Sequence, residues 1–250
     1  MDDIGEPVMI PDPVRRIVSL VPSLTEAVAA TLPEALVGAT DWCSHPADLD
    51  VTRVRGTKNP DLEAVVRLGP DVVLANAEEN RPADLAALRA AGLAVWVTRI
   101  ETLEEAFASL AQMFVHACRT DRPSWLDAAE AAWRRPAPAR RRTAVVPIWR
   151  RPWMVAGRDT FTGDVLRRLG VDNLYAGHAE RYPRIPLAEL VARRPDLVVL
   201  PDEPYAFSAT DGPECFPGLE CALVSGRLLT WYGPSLLEAA RTLPRDLGTA

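Results

Sequence analysis

At 250 residues the chain can form one large domain or two lobes, either with a real apolar core. Its 48% apolar and 25% charged residues are ordinary for a globular protein, and a net charge of −6 excludes a surface built for nucleic acid. Of the 28 basic residues only Lys58 is a lysine; with abundant Ala and Pro, that bias reads as genomic composition rather than as a phosphate-binding surface.

The first residues, "MDDIGEPVMIPDPVRR", hold neither a basic leader segment nor an apolar run long enough to span a bilayer. The expectation is a cytoplasmic protein, periplasmic or cell-surface only if the start is longer. Four cysteines (Cys43, Cys118, Cys215, Cys221) show no CxxC spacing. Cys215 and Cys221 are close enough in sequence to be bridged, and stay thiols in a reducing compartment.

"RRIVSLVPS" opens with an apolar strand and offers Ser23 as the N-cap of "LTEAVAATL", with Glu26 three residues on completing a capping box. "ALVGAT" is a second strand leading into the loop "DWCSHPADLD". A helix over 61–68 is stopped by Gly69-Pro70, and "DVVLA" is a continuous apolar run suited to a parallel strand covered on both faces. Helix "RPADLAALRAAG" and strand "LAVWVT" continue the βαβ alternation, which implies a parallel sheet with right-handed crossovers. A helical passage follows over 103–118. Behind it lies a second piece in "DRPSWLDAAEAAWRR", capped by Asp121 and ended by Pro136 and Pro138. About 14 helical residues reach roughly 21 Å, enough to cross between two lobes. Trp125 and Trp133 on that piece are packing anchors.

Strand signals resume at "RTAVVPIW", and helix "TFTGDVLRRLG" follows. Then "PLAELVARRPDLVVL" (186–200) repeats the helix–Pro-Asp–strand of "DLEAVVRLGPDVVLA" (61–75), before "RLLTWY" and a last helix from Pro234. Half-chain spacing of the repeat points to two related lobes. The expected fold is α/β: two similar lobes with mostly parallel sheets, joined by a single long backbone helix, with a ligand cleft between them. The expected limits are 14–118 for the first lobe, 119–139 for the connection and 140–250 for the second.

In open parallel sheets ligands lie beyond the carboxyl ends of strands. Loops expected there carry Trp42 and Asn76 in the first half, and Trp149, Trp153, Tyr182, Tyr205, Phe207, Trp231 and Tyr232 in the second. Such aromatic faces suit flat or apolar ligands. Arg150, Arg151 and Arg158 are placed to meet carboxylates or phosphate on a ligand. Glu78 and Glu79 fall on an expected loop, where solvated charge is the default. GxSxG, Walker A, GxGxxG and HExxH are all missing, so no catalytic residue is assigned. Cys43 and His45 are the one local pair able to contact a metal, and two residues do not close a site.

"RRIVSLVPSLTEAVAATL", "LVGATDWCSHP", "GTKNPDLEAVVRLGPDVVLA", "IWRRPWMVAGRDTFTGDVLRRLGVDNLYA" and "RYPRIPLAELVARRPDLVVL" together resemble the iron-chelate and vitamin B12 substrate-binding proteins of ABC importers, nearest their cobalamin-binding branch. The resemblance runs from Arg15 to about Arg241. It implies two α/β lobes on one backbone helix, with a shallow ligand cleft. It also implies corrinoid-lining roles for Trp42, Tyr182 and Trp231-Tyr232, and an acidic docking residue on each lobe for the permease. Glu189 is the second-lobe candidate. On the first lobe the expected position falls at or near Pro82, so Glu78, Glu79 or Asp84 would have to substitute.

The resulting expectation is a non-enzymatic, monomeric binding protein for a bulky metal chelate, a cobalamin-like corrinoid before a ferric siderophore or heme. It has no intrinsic cofactor or metal, no nucleic-acid partner and no membrane insertion, and its partner is an importer permease if it is exported. The alternative is a cytoplasmic enzyme or metallocofactor-handling protein on the same scaffold.

Overall fold

The computed structural model describes residues 1–134 and 138–249. The chain divides into two compact units, one of residues 1–100, 104–128 and 232–234, the other of 101–103, 129–231 and 235–250. Each is an α/β unit around a parallel sheet.

In the first unit, β1 (Ile17–Ser19), α1 (Pro22–Thr31), β2 (Leu36–Ala39) and β3 (Thr52–Arg53) are followed by a small antiparallel pair, β4 (Arg55–Gly56) and β5 (Asn59–Pro60). Then come α2 (Leu62–Leu68), β6 (Val72–Asn76), α3 (Pro82–Ala90) and β7 (Val95–Thr98). The sheet order is β3-β2-β1-β6-β7, and every neighbouring pair is parallel. Every residue of β6 is buried, as its unbroken apolar run predicts. A fully buried Val or Leu there contributes roughly 1.5–3 kcal/mol.

α1 starts two residues earlier than the capping-box reading. Val21 is the N-cap and Pro22 is the first helical residue, so Ser23 and Glu26 are buried inside the helix. Proline's fixed φ and missing N–H favour the first turn, and here that preference outweighs the serine cap. α2 follows its sequence signals closely: the Asp61 carboxylate accepts from Ala64 N at 2.9 Å, and Gly69 closes the helix at φ +54°. The open edge of β7 is covered by the first residues. Asp3 N donates to Val97 O at 3.1 Å, and the Asp2 carboxylate accepts from Val97 N at 3.2 Å.

The helical passage is α4 (Leu103–Gln112), which runs into a π turn at Met113–Ala117, then α5 (Ser124–Trp133). At ten residues α5 is about 15 Å long, shorter than the sequence suggests. The division of the chain falls within it, between Ala128 and Ala129. Pro138, expected to end the helix, lies outside any helix, and Pro136 lies outside the described residues.

The second unit contains β8 (Arg142–Val145), β9 (Pro147–Trp149), β10 (Met154–Val155), α6 (Phe161–Arg168), β11 (Val171–Asn173), α7 (Leu187–Ala192), β12 (Leu197–Pro201), β13 (Cys221–Val224), α8 (Gly226–Thr230) and α9 (Ser235–Asp246). Its main sheet is β11-β8-β12-β13, all parallel, and β9 and β10 form an antiparallel hairpin.

The two copies of the repeat occupy matching places. α2 leads into β6, which lies beside β1, and α7 leads into β12, which lies beside β8. Val65 and Leu190 are the fully buried helix residues in the two copies. The paired Pro-Asp has the same physical job in both. The Asp71 carboxylate accepts from the Arg15 and Arg16 amides at 2.7 and 2.9 Å, just before β1. The Asp196 carboxylate accepts from the Thr143 amide and hydroxyl, both at 2.8 Å, at the start of β8. Each aspartate thus fixes the entry of the neighbouring parallel strand. The Thr143 amide, followed by its hydroxyl, holds the Asp196 pKa below the ordinary carboxylate value. Replacing Asp71 by Ala is expected to destabilise the first unit by about 1–3 kcal/mol, the range for a charge-assisted bond to backbone N–H. A lower urea midpoint with an unchanged m-value is the measurement that checks it.

Candidate functional site

Beyond the carboxyl end of β2, the loop 40–51 carries Trp42, whose side chain is 68% exposed. The loop is well held. Asp41 N donates to Arg55 O at 2.8 Å, and the Arg53 guanidinium donates to the Thr40 and Cys43 carbonyls at 3.0 and 2.9 Å. Gly56 allows the close approach of the indole: a Cβ there would lie 3.1 Å from Trp42 Nε1. An exposed Trp on a pinned loop is a rigid apolar contact surface, since its ordering cost is already met by the fold.

The second unit builds a larger aromatic face from two carboxyl-end segments. One is the β9–β10 hairpin, with Trp149, Arg150 and Trp153 at its tip. The other is the long loop after β12. Trp149 meets Tyr205 edge-on at 5.7 Å, Tyr205 lies 4.7 Å from Phe207, and Trp153 stacks on Phe207 at 6.0 Å and 10°. Phe216 closes the back of the group, edge-on to Trp153 at 5.4 Å. Residues 181–185 run alongside β10, with Val155 N donating to Pro183 O and Ile185 N to Trp153 O, both at 3.1 Å. That places Tyr182 beside the hairpin, half-buried under the Arg181 guanidinium at 6.0 Å. Trp149 is 44% exposed, and Tyr205 and Trp153 are partly exposed.

Polar residues tie this face together. Arg150 lies 5.6 Å over the Trp153 ring and pairs with Asp211 and, at 2.7 Å, with Glu214. Tyr205 Oη donates to the other Asp211 oxygen at 2.7 Å. The Arg150 guanidinium pulls the Glu214 carboxyl down to about pH 2. A carboxyl pKa depressed on folding adds stability above its unfolded value near 4.3 and loses it as pH falls through the folded value. Near-UV circular dichroism of the second unit's tryptophans is therefore expected to change between about pH 4.5 and pH 2, and Glu214→Gln to remove that step. A step of the same size in the variant contradicts the assignment.

Several sequence candidates have other work. Asn76 is buried at the end of β6: its Oδ1 accepts from the Glu78 and Glu79 amides at 2.9 and 3.3 Å, and its Nδ2 donates to Thr98 Oγ1 at 3.2 Å. It builds the loop rather than presenting an amide to a ligand. Trp231 and Tyr232 are buried, at 6% and 5% exposed. Trp231 follows α8 directly and hydrogen-bonds Glu203. Burial raises the Glu203 pKa. Cys43 is fully buried, with its thiol against the Thr25 and Thr40 hydroxyls at 3.0 and 3.2 Å, and burial raises its pKa. His45 sits on the partly exposed turn with Ser44 Oγ 3.2 Å from its Nδ1, so the pair forms no metal site. No group of three or more His, Cys, Asp or Glu able to hold a metal exists among the described residues. Of the docking candidates, Glu78 and Glu79 are half-buried beside Asn80. Asp84 is buried and paired with Arg81 at 2.7 Å, and Glu189 is exposed on α7 near Arg193 at 3.7 Å.

The sequence reading missed Arg53, Asp211 and Glu214. A loop-pinning arginine and two counter-charges sixty residues from their partner carry no local signal. A cavity of about 640 Å³, lined by Arg140, Arg141, Arg142, Asp196 and Glu220, lies at the amino ends of β8, β12 and β13, away from the aromatic face. Two of its arginines are engaged: Arg141 pairs with Asp172, and Arg142 with Glu220 at 2.6 Å.

Residues 17–212 match the family model described as Periplasmic binding protein. A vitamin B12-binding protein of Vibrio parahaemolyticus is 24% identical over 200 residues, covering 76% of this chain and 72% of that protein. The periplasmic vitamin B12 binding protein BtuF of Vibrio cholerae superposes with a TM-score of 0.76 at 20% identity, covering 95% of this chain and 98% of that one. The periplasmic heme-binding protein BhuT, solved with two hemes, superposes with a TM-score of 0.79 at 24% identity over 94% and 99% of the two chains. These findings correct the expected cytoplasmic location: the matching family is periplasmic, as are both solved relatives by name. The cytoplasmic reading rested on the first sixteen residues, which carry no argument about compartment. No described helix is long and apolar enough to cross a membrane.

Proposed function

The chain belongs to the periplasmic binding protein family, and on that premise we propose that it captures a bulky metal chelate, a cobalamin-like corrinoid in first place. It binds its ligand without converting it. The observation that carries the reading is the likeness to the vitamin B12-binding protein across three quarters of the chain. The physical support lies in each unit taken by itself. Trp42 and the Trp149–Tyr205–Trp153 face are rigid aromatic surfaces at the carboxyl ends of parallel strands, where a large ring system buries apolar area.

The test is the visible spectrum of cyanocobalamin, hemin and a ferric siderophore, each titrated with protein. The expected result is a saturable band shift with the corrinoid and no turnover. A shift with hemin or the siderophore alone reassigns the ligand, and no shift with any of the three removes the proposal.

We further propose an importer permease as partner, with Glu189 as the contact on the second unit. Its carboxylate is held outward on α7 by the Tyr175 hydroxyl at 3.2 Å and by Arg193. Glu189→Lys gives up the Tyr175 hydrogen bond and sets a lysine four residues from Arg193, at a cost of about 1 kcal/mol to the fold, and is expected to leave chelate affinity within about twofold. It should abolish chelate uptake in cells that depend on this protein; full uptake by the variant rules out the contact.

A further inference from the structure

The most unusual feature of the aromatic face is that its central cation is occupied. Arg150 sits at the hairpin tip over Trp153, the position from which a guanidinium would grip a ligand carboxylate, and two carboxylates hold it instead. Asp211 is itself fixed by Tyr205, and Glu214 Oε2 also accepts from the Gly212 amide at 2.6 Å. Both acids therefore sit in a closed network and do not merely pass near Arg150. The next hairpin residue, Arg151, is exposed. Arg150 and its two acids together carry one negative charge, which the neighbouring Arg151 offsets.

We propose that Asp211 and Glu214 are specificity-determining residues, which neutralise Arg150 so that the aromatic face selects a chelate with an uncharged, amide-bearing rim over one with a carboxylate rim. The inference rests on the proposed chelate-binding function and names the ligand class of the same site. Its physics is competition. A carboxylate-bearing chelate gains little from Arg150 unless it displaces two carboxylates that are already bonded, and it meets their like charges on approach. An uncharged rim needs no such exchange and still uses the ring faces. The network also fixes the loop after β12 against the hairpin, which keeps Trp149 and Tyr205 in contact.

The test compares cyanocobalamin, whose rim carries amides, with hemin, which carries two carboxylates. Affinities are measured by tryptophan quenching on the parent, Asp211→Asn/Glu214→Gln, and the triple variant that adds Arg150→Met. The parent is expected to prefer the corrinoid. The double variant should gain about ten- to a hundred-fold in hemin affinity, the scale of one released charge-assisted bond, and the triple variant should lose that gain. Glu214→Gln alone, at a half-exposed side chain, should show the same direction if the double variant folds poorly. No gain for hemin in a folded variant, with corrinoid binding intact in the parent, overturns the inference while the proposed function stands. A parent that binds neither chelate overturns the function itself, and the inference with it.

Discussion

Trp149→Ala is expected to weaken chelate binding about thirtyfold while moving the unfolding midpoint by no more than a few degrees. The residue is 44% exposed, and its ring partner among the described residues is Tyr205, edge-on at 5.7 Å. Losing such a contact costs the fold about 0.5–1.5 kcal/mol. In binding, the same indole is a large rigid anchor. Truncating an anchor of this kind costs about 2 kcal/mol or more, which is the thirtyfold. Trp42→Ala should behave alike in the first unit, with a smaller effect on stability, because 68% of that side chain faces solvent. Isothermal titration with cyanocobalamin, together with thermal unfolding of both variants, checks the pair. Wild-type affinity in both variants would remove the aromatic faces from the binding account.

Trp231→Ala is expected to do the opposite, destabilising the second unit by about 3–5 kcal/mol, the usual range for deleting a buried Trp. The ring is 6% exposed, and its hydrogen bond to Glu203 lowers a carboxyl pKa that burial raises. Removing it leaves a cavity and strips the half-buried Glu203 of a donor. Trp231→Phe keeps most of the volume and should cost less, the difference reflecting the lost donor. Denaturant unfolding followed by far-UV circular dichroism measures both. If Trp231→Ala unfolds like the parent but loses the ligand, the residue belongs to the binding surface after all.

These two tryptophans mark the limit of what one dimension of sequence can say. Both sit beside strand- or helix-ending signals, and nothing in "IWRRPW" or "LLTWYG" tells an outward ring from an inward one. Facing depends on which loop packs over it, and that is set by residues far along the chain. Where the signal was local, it was legible. Asp61 and Gly69 bound α2 as capping chemistry requires, and the apolar runs 72–75 and 197–200 became covered parallel strands. The half-chain repeat was visible too, and its two aspartates, Asp71 and Asp196, each hold backbone amides at the entry of the neighbouring strand. Arg150 shows the converse. A cation in an aromatic loop reads as a ligand contact until Asp211 and Glu214 are seen to hold it.

The most direct test of the central claim is equilibrium dialysis of the purified protein against cyanocobalamin, hemin and a ferric siderophore at equal concentration. The account predicts retention of one corrinoid molecule per chain, with the other two retained more weakly. Equal, unsaturable retention of all three, or of none, would contradict it.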